Sequence, residues 1–202
     1  MDQNDSRIPI IGGLLAKVAG RVLRGSDGII VHSSSDRELA MGQYSLQENS
    51  CLQIGHMNYE KYGKKILKDD AKEKLSINSE KVILSFGLIR NYKGVPELIE
   101  IFENLDYEDV TLLIVGEIWD EKKKIRSMIK MSPKMGEISL IDRYVENEEI
   151  RYFFSAADLL AMPYARASQS GVGAIAKHFQ LPIVAYSVGG LTESVGSYER
   201  GY

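Results

Sequence analysis

The chain has 202 residues, enough for one substantial domain and part of a second. Its 44% hydrophobic and 26% charged residues are ordinary for a globular protein, and a formal net charge of -3 gives no basic field that would attract nucleic acid. A single cysteine, Cys51, excludes an internal disulfide and a cysteine-built metal site, and no apolar run approaches the roughly 20 residues that a membrane-crossing helix needs.

The first residues do not read as a signal peptide: they carry Asp2 and Asp5, and Pro9, Gly12 and Gly13 interrupt the stretch Ile8–Leu15. Leu15, Val18, Ala19 and Val22 then recur at helical spacing, with Lys17, Arg21 and Arg24 on other faces. This reads as a surface helix packed on a sheet. A second reading is a basic amphipathic segment lying on an anionic membrane, a peripheral contact at the inner face. Gly28–His32 and Cys51–Ile54 read as strands, with a helix near Asp36–Tyr44 between them. Cys51 lies in an apolar run and reads as a small buried hydrophobe, which fits a reducing, cytoplasmic setting. Tyr59–Ser79 is charged and reads as a linker with one helix at Ile66–Leu75, so a domain boundary is expected near residues 55–60.

From residue 81 the pattern becomes regular. Val82–Phe86 is a continuous apolar run, as in a strand buried on both faces. Gly94–Leu105 places Val95, Leu98, Ile99, Phe102 and Leu105 on one helical stripe, with Pro96 near the start where proline is tolerated. Strands at Val110–Val115, Glu137–Ile141, Leu159–Met162 and Pro182–Tyr186 alternate with helices at Glu121–Lys130, from a cap at Asn147, and at Ser170–Phe179. Strands alternating with helices imply right-handed crossovers and an α/β fold built on a doubly wound parallel sheet. The last residues, Gly189–Tyr202, stop without a closing helix, so the sheet reads as unfinished.

Open parallel sheets bind ligands at the carboxyl ends of their strands. After the first strand of the series comes Gly87-Leu88-Ile89-Arg90-Asn91-Tyr92-Lys93-Gly94, which joins a glycine turn, two cations and a helix N-terminus. Exposed N–H groups and charge-assisted bonds from Arg90 and Lys93 suit phosphate oxygens there. The later loop Met162–Gly173 crowds Ser168, Gln169, Ser170 and Gly171 at a second helix start. Gly189-Gly190, with Glu193 beyond, forms a third flexible loop. The bland reading of the same residues is a solvated Arg and Lys, a serine helix cap, and an ordinary glycine turn. His32, His56 and His178 are scattered without ligand spacing, so no metal site is expected.

The order of these segments carries a resemblance. G-x-I-R-x-Y-K-G after a strand, Q-S-G-V opening a later helix, L-P-I-V-A and G-G-L-x-E together resemble the C-terminal domain of family four of the GT-B glycosyltransferases. Ser26–Ser33 is similar to the last strand of that family's N-terminal domain, and Gln53–Tyr59 to its interdomain crossover. The resemblance implies that residues 1–57 are a remnant of an N-terminal acceptor domain and 58–202 an incomplete, Rossmann-like donor domain. The chain would then be truncated at both ends.

It also implies a nucleoside-diphosphate sugar as donor, transfer with retained configuration, no cofactor or bound metal, and a glycan or lipid-linked acceptor held by the N-terminal half. The donor contacts would come from Gly87, Arg90, Lys93, Ser168, Gln169, Ser170, Gly171, Gly189, Gly190 and Glu193, with Lys93 on the diphosphate. Two departures stand out. The family's first arginine falls at Leu88, where Arg90 is the substitute, and its paired glutamates fall at Ala167 and Ile175, so no catalytic residue is carried over. The Ser168–Gly171 segment is expected to take the place of those glutamates.

Two other classes compete. Gly171-Val172-Gly173-Ala174-Ile175-Ala176 matches a dinucleotide-binding fingerprint, but Pro163–Gln169 separate it from the preceding strand and no acidic residue ends the next one. The missing glutamates would also suit a non-catalytic nucleotide-sugar-binding protein or a partner-dependent half-enzyme.

Overall fold

The computed structural model describes residues 9–44, 46–54, 59–167, 170–189 and 191, with backbone alone at 9–16 and 35. The chain divides into two compact units, Met1–Gly55 and His56–Tyr202.

In the smaller unit, helix α1 spans Pro9–Arg24, strand β1 Ile29–Val31, helix α2 Ser34–Tyr44 and strand β2 Cys51–Gln53. Helix α1 begins earlier than the apolar stripe predicts and runs through Gly12 and Gly13. Pro9 occupies its first position, where no N–H is required. Gly20 is buried, and a β-carbon there would stand 3.2 Å from the Tyr44 ring. Lys17, Val18, Arg21, Val22 and Arg24 are exposed. Helix α2 starts two residues before the expected position because the buried Ser33 hydroxyl accepts from the Asp36 N–H at 3.0 Å. Strands β1 and β2 pair in parallel, Ile29 opposite Cys51, and Cys51 is buried as a free thiol. No helix of the described residues is long and apolar enough to cross a membrane.

The larger unit contains helix α3 (Lys68–Leu75), strand β3 (Lys81–Phe86), helix α4 (Val95–Glu103), strand β4 (Val110–Val115), helix α5 (Lys122–Met131), strand β5 (Ile138–Ile141), helix α6 (Asn147–Ala156), strand β6 (Leu159–Met162), helix α7 (Gly171–His178) and strand β7 (Ile183–Ala185). The five strands form one parallel sheet in the order β5-β4-β3-β6-β7. The chain starts in the middle at β3, winds outward to β5, and returns past β3 to β6. The order therefore reverses between β3 and β6, and the helices that follow them, α4 and α7, pack on opposite faces of the sheet, the switch point whose crevice binds ligands in such sheets.

Both faces are packed, as the apolar strand runs require. On one, Val82, Leu84, Leu113 and Leu160 meet Phe153 and Phe154 of α6 and Ile175 and Phe179 of α7. On the other, Leu112 and Ile114 meet Leu98, Ile99 and Phe102 of α4 and Ile125 of α5. The base of β3 is pinned by Asp158, whose carboxylate accepts from the Val82 N–H at 2.8 Å and from Lys68 Nζ at 2.7 Å.

One cap differs from expectation. Glu146, not Asn147, caps α6: it is extended (φ -70, ψ 152) and forms a reciprocal capping box with Glu149, which Arg143 also binds at 2.7 Å. The preference for shorter caps at a helix start does not anticipate this glutamate.

The loops at the strand ends approach each other through glycine. Gly94 has φ +66, and a β-carbon there would stand 2.2 Å from the Pro163 carbonyl oxygen. Gly136, in contrast, has no neighbouring atom within 4 Å of such a carbon. Gly94→Ala is expected to lower stability by at least about 2 kcal/mol through backbone strain and displacement of the β6 loop. Gly136→Ala should stay within about 0.5 kcal/mol of the parent. Denaturant unfolding of the two variants side by side checks both, and equal midpoints would contradict the close approach at Gly94.

Candidate functional site

The crevice between β3 and β6 is built from three segments. After β3, the chain turns at Gly87 (φ +98), forms a 3-10 turn over Asn91–Lys93, and enters α4 through Gly94. After β4, Gly116 (φ +143) lies against the first loop, where a β-carbon would stand 2.2 Å from the Gly87 carbonyl oxygen. Ile89 and Ile118 continue this pairing, with the Ile89 N–H donating to the Glu117 carbonyl at 2.9 Å. After β6, the Ala165 N–H donates to the Tyr92 carbonyl at 2.8 Å, and the Tyr92 and Tyr164 rings meet edge to face at 5.9 Å.

Lys93 lies at the centre of this arrangement and is not the solvated cation of the bland reading. It is only 7% exposed. Its Nζ donates to the Phe86 carbonyl oxygen at 3.1 Å and stands 5.2 Å from the centre of the Tyr164 ring. Gly87 makes room for it, since a β-carbon at 87 would stand 2.8 Å from Nζ. Among the described residues no carboxylate forms an ion pair with this ammonium. Burial pushes its pKa down to about 8. It therefore stays predominantly charged at neutral pH, desolvated and short of partners.

Arg90 is placed differently. Its Nε donates to Asp120 Oδ2 at 2.8 Å, and its guanidinium lies 5.5 Å from the centre of the Trp119 ring. Asp120 also accepts from the Asn91 N–H at 3.2 Å, so the pair clasps the β3 loop to the β4 loop. The second expected cation thus lies beside a carboxylate that offsets its charge.

Across the crevice, Ser170 is buried and caps α7: its Oγ accepts from the Gly173 N–H at 3.3 Å. Ser170 is thus the helix cap of the bland reading, at a helix start facing the β3 loop, with Val172 Cγ2 3.2 Å from a β-carbon built at Gly87. A β-carbon built at Gly171 would be in ordinary contact with the Tyr59 hydroxyl, at 3.6 Å. Gly189 follows β7 with φ +49. Ser168, Gln169, Gly190 and Glu193 lie outside the described residues, as does His56. Ile175 is buried on the sheet side of α7, and Ala167 packs against the same core. Neither position offers a carboxylate to the crevice. Among the described residues no cluster of His, Cys, Asp and Glu could hold a metal.

Three features escaped sequence reasoning. Tyr164 is 4% exposed, and burial pushes its hydroxyl pKa up while the Ser170 side chain hydrogen-bonds it. Its position directly after Pro163 was visible, but its contact with a lysine 71 positions earlier was not. Asp120 and Trp119 were absent from every motif considered. Asp142 is also new. Burial works against its charge, but bonds from Lys122, the Ile118 N–H and Arg126 outweigh it and hold the carboxyl below its usual range. It ties the β5 loop to α5 and to the β4 loop. An apolar groove of about 220 Å³, lined by Leu98, Phe102, Ala161 and Val184 among others, has no charged lining residue and so is distinct from this cationic crevice.

Residues 67–202 match the sequence family described as glycosyl transferases, group 1. The chain belongs to this family. A GDP-mannose:glycolipid 4-beta-D-mannosyltransferase of Xanthomonas campestris pv. campestris is 30% identical over 104 residues, which are 51% of this chain and 29% of that protein. Among solved structures, sucrose-phosphate synthase from Thermosynechococcus elongatus superposes with a TM-score of 0.78 at 18% identity, covering 94% of this chain and 47% of the synthase. HepE of Anabaena, in complex with UDP and glucose, superposes with a TM-score of 0.76 at 19% identity, covering 93% of this chain and 51% of HepE. The group 1 chain thus has a GT-B, Rossmann-like fold and spans about half the length of these solved structures.

The buried lysine of this glycosyltransferase chain makes a prediction about stability. Its folded pKa lies below its unfolded one, so between about 8 and 10.5 the unfolded chain holds the extra proton and stability rises with pH. Lys93→Met removes the buried charge. At neutral pH it should raise stability by up to roughly 3 kcal/mol, at about 1.36 kcal/mol per pKa unit. That advantage should fade as the pH approaches 10.5. Melting temperatures across this range check it, and a variant that tracks the parent at every pH would contradict desolvation of the ammonium.

Proposed function

We propose that this chain is the donor-binding half of a retaining glycosyltransferase that uses a nucleoside-diphosphate sugar, in polysaccharide or glycoconjugate synthesis. The observation that supports this most strongly is the desolvated Lys93 ammonium facing a helix start across a crevice at the sheet's switch point. A diphosphate brings the negative charge that this ammonium lacks. The N–H groups opening α7 at Ser170 and Gly171, the Gly87 turn and the Arg90–Asp120 clasp would surround it, and Gly189 would flank it. Ser168, Gln169, Gly190 and Glu193 complete the proposed donor set. As the bond to the sugar breaks, negative charge grows on the departing diphosphate, and preorganised cations and amides favour that state over the intact donor. No metal or cofactor is required in this reading.

The acceptor is proposed to be a glycan or lipid-linked sugar, held by polypeptide equivalent to the half of the larger relatives that this chain does not cover. A relative named for action on a glycolipid supports that class.

The test is calorimetry with UDP and GDP in the presence of a chelator. Charge-assisted bonds are worth about 1.5–3 kcal/mol each, so Lys93→Ala should weaken binding by roughly 10- to 150-fold. Unchanged affinity would overturn the assignment.

We also propose that α1 contacts an anionic membrane surface peripherally, at the cytoplasmic face. It bears Lys17, Arg21 and Arg24 and no acidic residue, and Val18 and Val22 are 50% and 62% exposed. Sedimentation with phosphatidylglycerol vesicles should exceed that with phosphatidylcholine, and should fall on adding salt and in Val22→Asp. Equal binding to both vesicles would count against it.

A further inference from the structure

A buried lysine ordinarily needs a carboxylate beside it, because desolvation otherwise drives it to the neutral form. The more exposed cations at the strand ends each have a carboxylate: Arg90 has Asp120, Lys122 and Arg126 have Asp142, and Lys68 has Asp158. Lys93 has none among the described residues. It touches instead the Phe86 carbonyl oxygen on β3, the open side of Gly87 and the face of Tyr164 after β6. The Tyr164 ring in turn meets that of Tyr92 edge to face.

We propose that Tyr164 is a positioning residue for donor binding: its ring face, 5.2 Å from Lys93 Nζ, holds the ammonium charged and aimed into the crevice in place of a carboxylate. A carboxylate in that position would compete with the incoming diphosphate for the same ammonium. An aromatic face does not, because it attracts the cation through its quadrupole and carries no net charge to repel an anion. Its hydroxyl separately bonds the Ser170 side chain that caps α7, a tie on which the hold of the ring face on the ammonium does not depend. The lowered Lys93 pKa, about 8, leaves its charge sensitive to any change in that ring.

This inference rests on reading Lys93 as the cation for the diphosphate, and its test separates the two. In the full chain with isotope-labelled lysine, the Lys93 signal is assigned by comparison with Lys93→Met and its titration is followed without ligand. Inorganic pyrophosphate affinity is measured at pH 7 on the same samples. The parent, Tyr164→Phe and Tyr164→pentafluorophenylalanine are compared. Phe keeps the ring face and loses the hydroxyl, whereas the fluorinated ring keeps the volume and inverts the quadrupole.

The expected result is a parent-like midpoint and affinity for Tyr164→Phe. The fluorinated variant should show a midpoint lower by about one pH unit and pyrophosphate binding weakened roughly 3- to 30-fold. Parent-like behaviour of both variants would overturn the proposal. An equal loss in both would also overturn it, by assigning the effect to the hydroxyl and its bond to Ser170. A lowered midpoint with unchanged pyrophosphate affinity would uphold the hold of the ring on the ammonium and overturn the donor reading of Lys93.

Discussion

The crevice exists because two carbonyl oxygens stand where β-carbons would otherwise be. The Pro163 oxygen lies 2.2 Å from the position a side chain at 94 would take, and the Gly87 oxygen 2.2 Å from that of a side chain at 116. With these approaches the loops after β3, β4 and β6 touch. Without them Lys93 would be left at the surface and Tyr164 would have no ammonium to face. Positive φ at Gly87, Gly94 and Gly116 supplies the turns that bring the backbone to these crossings. The sheet sets where the loops begin, but the missing side chains decide how near they come.

Charge is distributed unevenly around this frame. Aspartates at 120, 142 and 158 each accept from a backbone N–H as well as from a basic side chain. Each therefore joins two or more segments and leaves little free charge. Lys93 is the contrasting case, with its ammonium buried beside a carbonyl and a ring. A protein interior tolerates this poorly in isolation, which is why stability and ligand binding are expected to pull in opposite directions at this residue.

Much of the fold was legible because long apolar runs admit few alternatives. Val82–Phe86 and Val110–Val115 are too apolar for a one-sided strand, and the helix between them carries a clear stripe; the elements of the larger unit appear where expected, within a residue or two. The position of Lys93 at a helix entrance was legible for the same reason, since glycines and a proline mark the turn. Its burial was not, because that depends on Tyr164, a residue remote in sequence that carries no motif of its own. For Arg90 the cation was legible and its partners were not: Asp120 and Trp119 are brought to it by the β4 loop. The Glu146 cap was missed because a side chain outside the usual preference is made effective by a partner three residues on.

Trp119 is the only tryptophan in the chain, it is 59% exposed, and it lies beneath the Arg90 guanidinium. The indole emission of this protein therefore originates at one point, on the rim of the crevice and not in either hydrophobic core. Its wavelength and intensity register whether the β3 and β4 loops are clasped. They are a poor gauge of whether the sheet behind them is still folded. A change in emission on heating beyond the ordinary thermal quenching of indole would mark the opening of the rim, and circular dichroism or core amide exchange would be needed to follow the domain itself.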